Sequence, residues 1–174
     1  NKKKEEYVRS LGADYVFNSR SCDFATSIMK LTNYRGVDLI LNCLSGRAMQ
    51  ESVQLLAPFG VFIEIGKTDA IARHYINIHN LLNNGTYIFF DMDRYFSRRA
   101  ICVEWIQSMA KAVASGKILP PPTDVFTLKD IGQAIRKLSA AKHLGKILLK
   151  LRQEDGKLLP SCHQIQFKPQ VLFR

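Results

Sequence analysis

The sequence predicts an α/β fold built on a doubly wound parallel sheet, chiefly because of two apolar segments and the helical segment between them. Residues 37–41 and 61–65 are short, largely apolar runs followed by polar residues and glycine, as expected for strands buried on both faces. Residues 46–56 have the length of a helix and end before Pro58 and Gly60. A strand, a helix and a second strand in succession form a right-handed crossover. We therefore expect a Rossmann-like sheet with helices on both faces.

The other elements alternate along the chain in the same way. Helices are predicted where apolar residues recur every three or four positions, and strands where β-branched or aromatic runs follow turn residues. In order, the predictions are a helix at 3–11, a short strand at 15–17, a helix at 23–31, a strand at 86–90, helices at 98–114 and 128–141, and a final strand at 146–151.

Domain organisation follows from where this alternation stops. Residues 1–151 carry the strand and helix patterns and are interpreted as one partial nucleotide-binding domain. The pattern fades in residues 152–174, where Asp155-Gly156, Pro160 and Pro169 are typical of a linker toward a following domain.

The composition excludes several classes of protein. Hydrophobic residues make up 47% of the 174, which supports a sizeable core. The net charge of +10 favours acidic partners, but the basic residues are spread along the chain and not interleaved with aromatics, so nucleic acid is not expected. A phosphorylated cofactor and an acidic carrier protein both fit the charge.

Location and metal binding are constrained by the same sequence. The segment is without a run of roughly 18 apolar residues and without a signal-like start, so neither membrane nor secretion is expected and a cytoplasmic setting is the simplest interpretation. The four cysteines form no CxxC pair, which argues against a metal site and a disulfide framework.

A ligand site is expected just after the two apolar strands, since ligands bind at the carboxyl ends of strands in open α/β sheets. Lys67 follows Gly66 directly there. The triplet at 66–68 resembles the end of a phosphate-binding P-loop, but that motif requires a glycine where Val61 lies, so a P-loop nucleotidase is excluded. Cys43 has no histidine near it in sequence and is not expected to be a nucleophile.

Five motifs in a fixed order give the sequence a family resemblance. They begin with Leu-Gly-Ala-Asp-Tyr-Val-Phe, include Asn-Cys-Leu-Ser-Gly and Glu-Ile-Gly-Lys-Thr-Asp, and occupy residues 11–21, 35–38, 42–46, 64–69 and 143–149. Together they resemble the enoylreductase domain of highly reducing type I polyketide synthases, a member of the medium-chain dehydrogenase/reductase superfamily. The resemblance covers about residues 1–151.

The resemblance has one large departure. The glycine-rich phosphate loop of the GxGxxG type, the strand before it and the substrate-binding domain of the family have no counterpart in this sequence. The resemblance therefore implies an incomplete sheet, a fragment of a larger enzyme, in which the strand at 15–17 is without its neighbour.

The family reaction implies roles for two charged residues. It is the NADPH-dependent reduction of an α,β-enoyl thioester, in which hydride reaches the β-carbon and an enolate must be stabilised and protonated. Lys67 matches the family's candidate lysine and Asp91 its acidic partner. Without the resemblance, both would be interpreted as solvated loop charges, and Asp69 and Asp93 are set aside, Asp69 as a residue that shapes the 66–69 turn.

The resemblance also implies a cofactor site and partners. Lys4 matches a position near the 2′-phosphate of NADPH, and Ser19 and Arg20 match positions along the adenosine phosphate. The implied partners are an acyl carrier protein with its enoyl-phosphopantetheine, the neighbouring synthase domains and a second copy of the chain, paired through the strand at 86–90. The full cofactor-binding set is Lys4, Ser19, Arg20, Asn42, Cys43, Leu44, Gly46, Ile65, Gly66 and Lys146.

Two alternatives remain open. One is a quinone oxidoreductase-like NADPH reductase, which shares the Gly-Ala-Asp and Gly-Val-Asp motifs but is not expected to carry Ile-Gly-Lys-Thr-Asp. The other is a non-catalytic α/β module, either a remnant that binds nothing or an interaction module that binds a partner, which the missing glycine loop would favour.

Overall fold

The structure is a computed structural model that describes residues 2–141 and 143–151. They divide into two compact units: a central unit of residues 8–110, and a terminal unit made of residues 2–7 with the segment from Lys111 onward. The elements in chain order are α1 (Lys2–Ser10), α2 (Asp23–Leu31), β1 (Val37–Asn42), α3 (Arg47–Gln54), β2 (Leu56–Glu64), α4 (Thr68–Ile71), a 3-10 turn (His79–Asn83), β3 (Thr86–Phe89), α5 (Met92–Tyr95), α6 (Arg99–Ala114), β4 (Thr123–Thr127), a 3-10 turn (Leu128–Asp130), α7 (Ile131–Ser139) and β5 (Lys146–Lys150).

The central unit contains a parallel sheet in the order β1-β2-β3. The register pairs Asn42 of β1 with Glu64 of β2, and Glu64 with Phe89 of β3. The three strands therefore end side by side, and the segments that follow them leave the sheet along one edge.

The core of the central unit lies between α3 and the sheet. Met49 and Val53 of α3 are buried against Leu56 and Phe62 of β2. The ring of Phe62 stacks on that of Tyr87 in β3, with centroids 5.3 Å apart. Burying side chains of this size stabilises a fold by roughly 1.5–3 kcal/mol each, so this contact holds the crossover on the sheet.

The terminal unit contains a second parallel pair, β4 and β5, joined through α7. Lys137 of α7 forms an ion pair with Asp124 at 2.8 Å, and its ammonium lies 5.9 Å from the centre of the Phe126 ring. β4 was not predicted, although its Thr-Asp-Val-Phe-Thr sequence is rich in β-branched and aromatic residues.

The predicted α/β class with parallel strands is confirmed, and most predicted elements lie within a few residues of their observed bounds. The described strands differ from the expectation of one sheet, because β4 and β5 pair only with each other. The segment predicted as linker, 152–174, lies outside the described residues.

Two predictions about the sheet are wrong. Residues 15–17 form no strand, because no strand in the described part of the chain pairs with them, and an unpaired strand leaves its N–H and C=O groups unsatisfied. β1 is not buried on both faces: Leu39 and Leu41 are 64% and 67% exposed, while Ile40 packs on the core. The face of β1 that carries Ile40 packs on the core below α3, whereas the face that carries Leu39 and Leu41 stays exposed.

None of the described helices is long and apolar enough to cross a membrane.

Candidate functional site at the carboxyl edge of the sheet

The loops after β1, β2 and β3 are held together by backbone hydrogen bonds that extend the sheet. The Ile65 N–H donates to the Asn42 carbonyl at 2.9 Å, and the Phe90 N–H donates to the Glu64 carbonyl at 2.8 Å. The segment carrying Lys67 therefore runs beside both neighbouring loops. This is the edge where the sequence predicted a ligand site.

Lys67 lies between two carboxylates. Its Nζ is 2.5 Å from Asp91 Oδ1 and 2.5 Å from Asp93 Oδ2. Asp91 is the N-cap of α5, and its side chain accepts the Asp93 N–H at 3.0 Å, which fixes its position. The structure thus brings the predicted pair together and adds Asp93, which the sequence analysis had set aside.

The pair's electrostatics follow from these contacts. The hydrogen bond to Asp91, followed by that to Asp93, raises the pKa of Lys67 above its usual value. The hydrogen bond from Lys67 lowers the pKa of the Asp91 carboxyl. Both groups are therefore charged across the neutral range. The side chains of Lys67 and Asp91 are 35% and 25% exposed, so the site is open to solvent.

A buried carboxylate lies behind the Lys67 turn. Glu64, at the end of β2, is buried and accepts the Gly66 N–H at 2.5 Å and the Asn42 Nδ2 at 2.6 Å. Burying a carboxylate without hydrogen-bond donors costs free energy, and these two donors offset that cost. Glu64 therefore ties the end of β1 to the turn before Lys67. In the sequence, Glu64 is distinguished only as a single acid in an apolar run.

Asn42, predicted to bind cofactor, uses its polar atoms within the protein. Besides Glu64, its Nδ2 donates to the Leu44 carbonyl at 3.0 Å, and its Oδ1 accepts the Leu44 N–H at 3.3 Å. Asn42 is buried. Its side chain therefore stabilises the conformation of the 42–46 loop.

Asp69 joins two loops. Its Oδ2 accepts the Gly46 N–H at 2.8 Å, and its Oδ1 lies 3.0 Å from His74 Nδ1. The interpretation that Asp69 shapes its own turn is therefore wrong: its carboxylate reaches the loop after β1. Its hydrogen bond with Gly46 holds that loop close to α4.

A cavity of about 180 Å³ lies above this network. Three predicted cofactor residues, Cys43, Leu44 and Gly66, are among its lining residues, whereas Asn42 and Ile65 are not. A side chain at Gly66 would place its Cβ 2.8 Å from Glu64 Oε1, so Glu64 would have to shift from its present hydrogen bonds. Tyr87 also lines the cavity, and burial, then Glu64 and Asp69, raise the pKa of its hydroxyl.

A second, more open cleft of about 530 Å³ lies between the start of α2 and the start of α3. Ser19 and Arg20, both predicted to contact the adenosine phosphate, line it together with Arg47, which the sequence analysis missed. Ser45 lines both the cavity and the cleft. Gly46, the remaining predicted residue of this loop, has a φ of +61° at the start of α3.

The last two predicted cofactor residues belong to the terminal unit. Lys4 Nζ donates to the Ala141 carbonyl at 3.0 Å, just beyond the end of α7. A cation near the end of α7 complements the negative end of the helix dipole. Lys146 begins β5, and its N–H donates to the Pro122 carbonyl at 2.9 Å.

A comparison with known protein families agrees with this fold. Residues 11–149 match the zinc-binding dehydrogenase family, and the chain belongs to that family. Within it, the chain is homologous to the enoylreductase domain of polyketide synthases. The residues described by the structure contain no group of three or more His, Cys, Asp or Glu placed to hold a metal.

Curated relatives support this assignment. A phenolphthiocerol/phthiocerol polyketide synthase of Mycobacterium tuberculosis is 38% identical over 154 residues, which is 88% of this chain and 7% of that protein. The highly reducing polyketide synthase fogA of Aspergillus ruber is 32% identical over 180 residues, 98% of this chain and 8% of that protein. The chain thus spans less than a tenth of the length of these relatives.

Solved structures agree in fold. The nucleotide-binding subdomain of the enoylreductase domain of PpsC from Mycobacterium tuberculosis is 39% identical, with a TM-score of 0.61 over 68% of this chain and 66% of that one. The CurF ER cyclopropanase of the curacin A pathway is 30% identical, with a TM-score of 0.72 over 85% of this chain and 45% of that one. A Pseudomonas syringae quinone oxidoreductase, at 19% identity and a TM-score of 0.66, shares the fold alone; the match covers 86% of this chain and 46% of that one.

Proposed function

We propose that this chain is the part of an enoylreductase that positions NADPH and presents Lys67 to an α,β-enoyl thioester carried on an acyl carrier protein. The observation that carries the proposal is the place of Lys67. Its ammonium is held by Asp91 and Asp93 one residue after Gly66, which lines the cavity at the carboxyl edge of the sheet. The relatives named as polyketide synthases support a multidomain setting with neighbouring synthase domains.

The residues at this edge suit a nicotinamide cofactor. Gly66 lines the cavity without a side chain, so a ligand can approach its backbone closely. The cavity beside it and the cleft lined by Arg20 and Arg47 share Ser45 as a lining residue, so a ligand that spanned both would meet mostly apolar groups at one end and cations at the other. A dinucleotide has this same division between its nicotinamide and its phosphates. When bound, the nicotinamide would supply the hydride.

Lys67 is proposed to stabilise the enolate electrostatically. As hydride reaches the β-carbon, negative charge develops on the thioester oxygen, and a fixed cation at close range lowers the energy of that state. The two carboxylates hold Lys67 charged, and they also make it a weaker acid near neutral pH. Charge stabilisation is therefore favoured over proton donation as its main contribution.

The proposal is tested by Lys67→Ala in the enzyme that carries this chain. We expect enoyl reduction to fall about 10²–10³-fold, the range for loss of one stabilising group, with NADPH affinity retained. Lys67→Arg, which keeps the charge, should recover part of the rate. Lys137→Ala is the matched control, since it breaks another Lys–Asp pair, on the terminal unit. Unchanged turnover in Lys67→Ala would remove Lys67 from the mechanism.

The dimer remains part of the proposal. β3 is one of the two edge strands of the central sheet and has exposed Ile88 and Phe89 side chains, which supports pairing between two copies.

A further inference from the structure

The helix that presents Asp91 and Asp93 to Lys67 is short and lies at the surface. α5 has four residues, all of them described by the structure, and none of the four is buried. A helix of that length is not stable in isolation, because its few hydrogen bonds do not offset the cost of nucleation. The Asp93 side chain is 74% exposed, and an exposed ion pair fixes a helix only weakly. The position of α5 must therefore depend on packing around it.

Three aromatic side chains supply that packing. We call Phe90, Tyr95 and Trp105 the aromatic triad; all three belong to the central unit. The Tyr95 ring centroid lies 5.0 Å from that of Phe90 and 5.0 Å from that of Trp105, and the Phe90 and Trp105 centroids are 6.2 Å apart. Rings at these separations attract one another beyond the area they bury. Because Phe90 directly precedes Asp91 and Tyr95 is the last residue of α5, the triad encloses both ends of the helix.

Hydrogen bonds anchor the triad at both ends. The Phe90 N–H donates to the Glu64 carbonyl at 2.8 Å, which ties this end to β2. The Cys102 thiol donates to the Tyr95 carbonyl at 3.0 Å, which ties the other end to α6. Trp105 lies three residues after Cys102 and so belongs to the same face of α6. The two carboxylates of the Lys67 site therefore lie between two anchored points.

We propose that Trp105 is a positioning residue for Lys67. By packing on Tyr95 it holds α5, and with it the two carboxylates, against the ammonium. Trp105 is not among the residues that line the cavity beside Gly66, so its contribution passes through the carboxylates. This inference rests on the proposed function, in which a fixed charge at Lys67 stabilises the enolate.

The experiment is an NMR titration of the Lys67 side chain in the complete chain. The variants are Trp105→Ala, which removes the ring, and Trp105→Phe, which keeps one. Val53→Ala is the matched control, because it truncates a fully buried side chain of the core under α3 and so lowers stability without touching the triad. Thermal unfolding followed by circular dichroism measures the stability of every variant. If Trp105→Ala fails to fold, Trp105→Leu takes its place with the same expected direction.

We expect Trp105→Ala to lower the pKa of Lys67 toward its ordinary value. The hydrogen bonds to Asp91 and Asp93 cause the upward shift, and a displaced α5 would weaken both. Trp105→Phe should stay closer to the parent chain. Val53→Ala should leave the pKa of Lys67 unchanged even though it unfolds at a lower temperature. An identical pKa in Trp105→Ala and the parent would overturn the inference. So would an equal fall in Val53→Ala, which would trace the change to lost stability.

A rate measurement follows the same effect in the enzyme that carries this chain. Trp105→Ala should lower kcat for enoyl reduction about 10–10²-fold, as for a misplaced catalytic group, with NADPH affinity retained. In a Lys67→Ala background the same change should lower kcat no further, because the two residues act through one contact. A further loss there would show that Trp105 acts by another route and would overturn the inference.

The positioning role and the proposed function can fail separately, because the titration does not depend on the reaction. If reduction proved independent of Lys67 while Trp105→Ala still lowered the Lys67 pKa, the positioning role would stand and the proposed reaction would fall. If reduction required Lys67 but its pKa ignored Trp105, the reverse would hold.

Discussion

At the scale of single residues, Lys67 is a loop lysine whose ammonium is held in position by two carboxylates. A lysine after a glycine in a polar loop is ordinarily solvated, and nothing in the local sequence states what it faces. Asp91 and Asp93 come from a different strand end, 24 and 26 residues away in sequence. They reach Lys67 because β2 and β3 are neighbours in register, with Glu64 beside Phe89.

This geometry gives the site a defined pH dependence. The lowered pKa of Asp91 means that the ion pair stabilises the fold above the ordinary carboxyl value and is lost as pH falls through the lowered pKa. The raised pKa of Lys67 means that the pair's contribution is present below 10.5 and is lost as pH rises through the raised pKa. The pair is therefore intact on a broad plateau through neutral pH.

Asp91→Asn should lower the pKa of Lys67, because it removes the largest cause of the upward shift. Asp93→Asn should lower it less, since Asp93 is the second cause. The measurement is an NMR titration of the Lys67 side chain in the parent chain and both variants. An identical titration in Asp91→Asn and the parent would contradict the assigned cause. The same ordering should be seen in the alkaline limb of the reduction rate.

Glu64 and Asp69 illustrate functional residues that local sequence hides. Each carboxylate is buried or nearly so, and each accepts a backbone N–H from a glycine: Glu64 from Gly66, and Asp69 from Gly46. Periodicity assigned Glu64 to a strand but said nothing of its partner. The partners become visible only when strands β1 and β2 are placed side by side.

At the scale of elements, the chain's turns depend on a few glycines in unusual conformations. Gly36 precedes β1 with a φ of +88°, and a Cβ there would collide with the Leu55 carbonyl. That carbonyl also accepts the Val37 N–H at 2.8 Å, so it cannot move without loosening the start of β1. Gly12, after α1, has a φ of +97° but open space around it.

Gly36→Ala and Gly12→Ala therefore separate backbone strain from collision. Both should be destabilising by about 1–2 kcal/mol, because a side chain disfavours positive φ. Gly36→Ala should be further destabilising by about 1–3 kcal/mol, through overpacking against the Leu55 carbonyl. Urea unfolding of the two variants measures the difference. Equal losses of unfolding free energy would show that the β1 entry relaxes around the new methyl group.

The elements also show where periodicity misleads. The apolar run of β1 predicted burial on both faces, yet only the face with Ile40 is covered. Residues 15–17 have the composition of a strand but lack a strand to pair with. In both cases the local sequence is suitable for a buried strand. Whether a strand forms there, and whether both of its faces are buried, depends on neighbouring elements that the sequence pattern does not specify.

At the scale of the whole molecule, stability is concentrated in a small core. Within the described residues, the buried cluster is Met49, Val53, Leu56 and Phe62, all in the central unit. Large apolar side chains such as Leu39, Leu41 and Tyr75 remain exposed. Truncating an exposed apolar side chain lowers the free energy of unfolding little, whereas truncating a core side chain leaves a destabilising cavity.

Phe62→Ala should be destabilising by about 3–5 kcal/mol, because it removes a fully buried ring and its stacking on Tyr87. Leu39→Ala, on the uncovered face of β1, should be destabilising by much less. Chemical unfolding followed by tryptophan fluorescence reports on the central unit, since Trp105, the chain's single tryptophan, lies there. An equal loss of unfolding free energy in Phe62→Ala and Leu39→Ala would contradict the placement of the core around Phe62.

The sequence by itself determined the α/β class, the bounds of most elements and the family, because helix periodicity, strand composition and ordered motifs are local properties of the chain. It also pointed to Lys67 and Asp91 through the resemblance. Only the tertiary structure decided that Asp93 shares the lysine, that Glu64 and Asp69 tie the loops together, and that Arg47 lies in one cleft with Arg20. These are contacts between residues far apart in sequence, and they arise from strand register and helix packing, which no local pattern encodes.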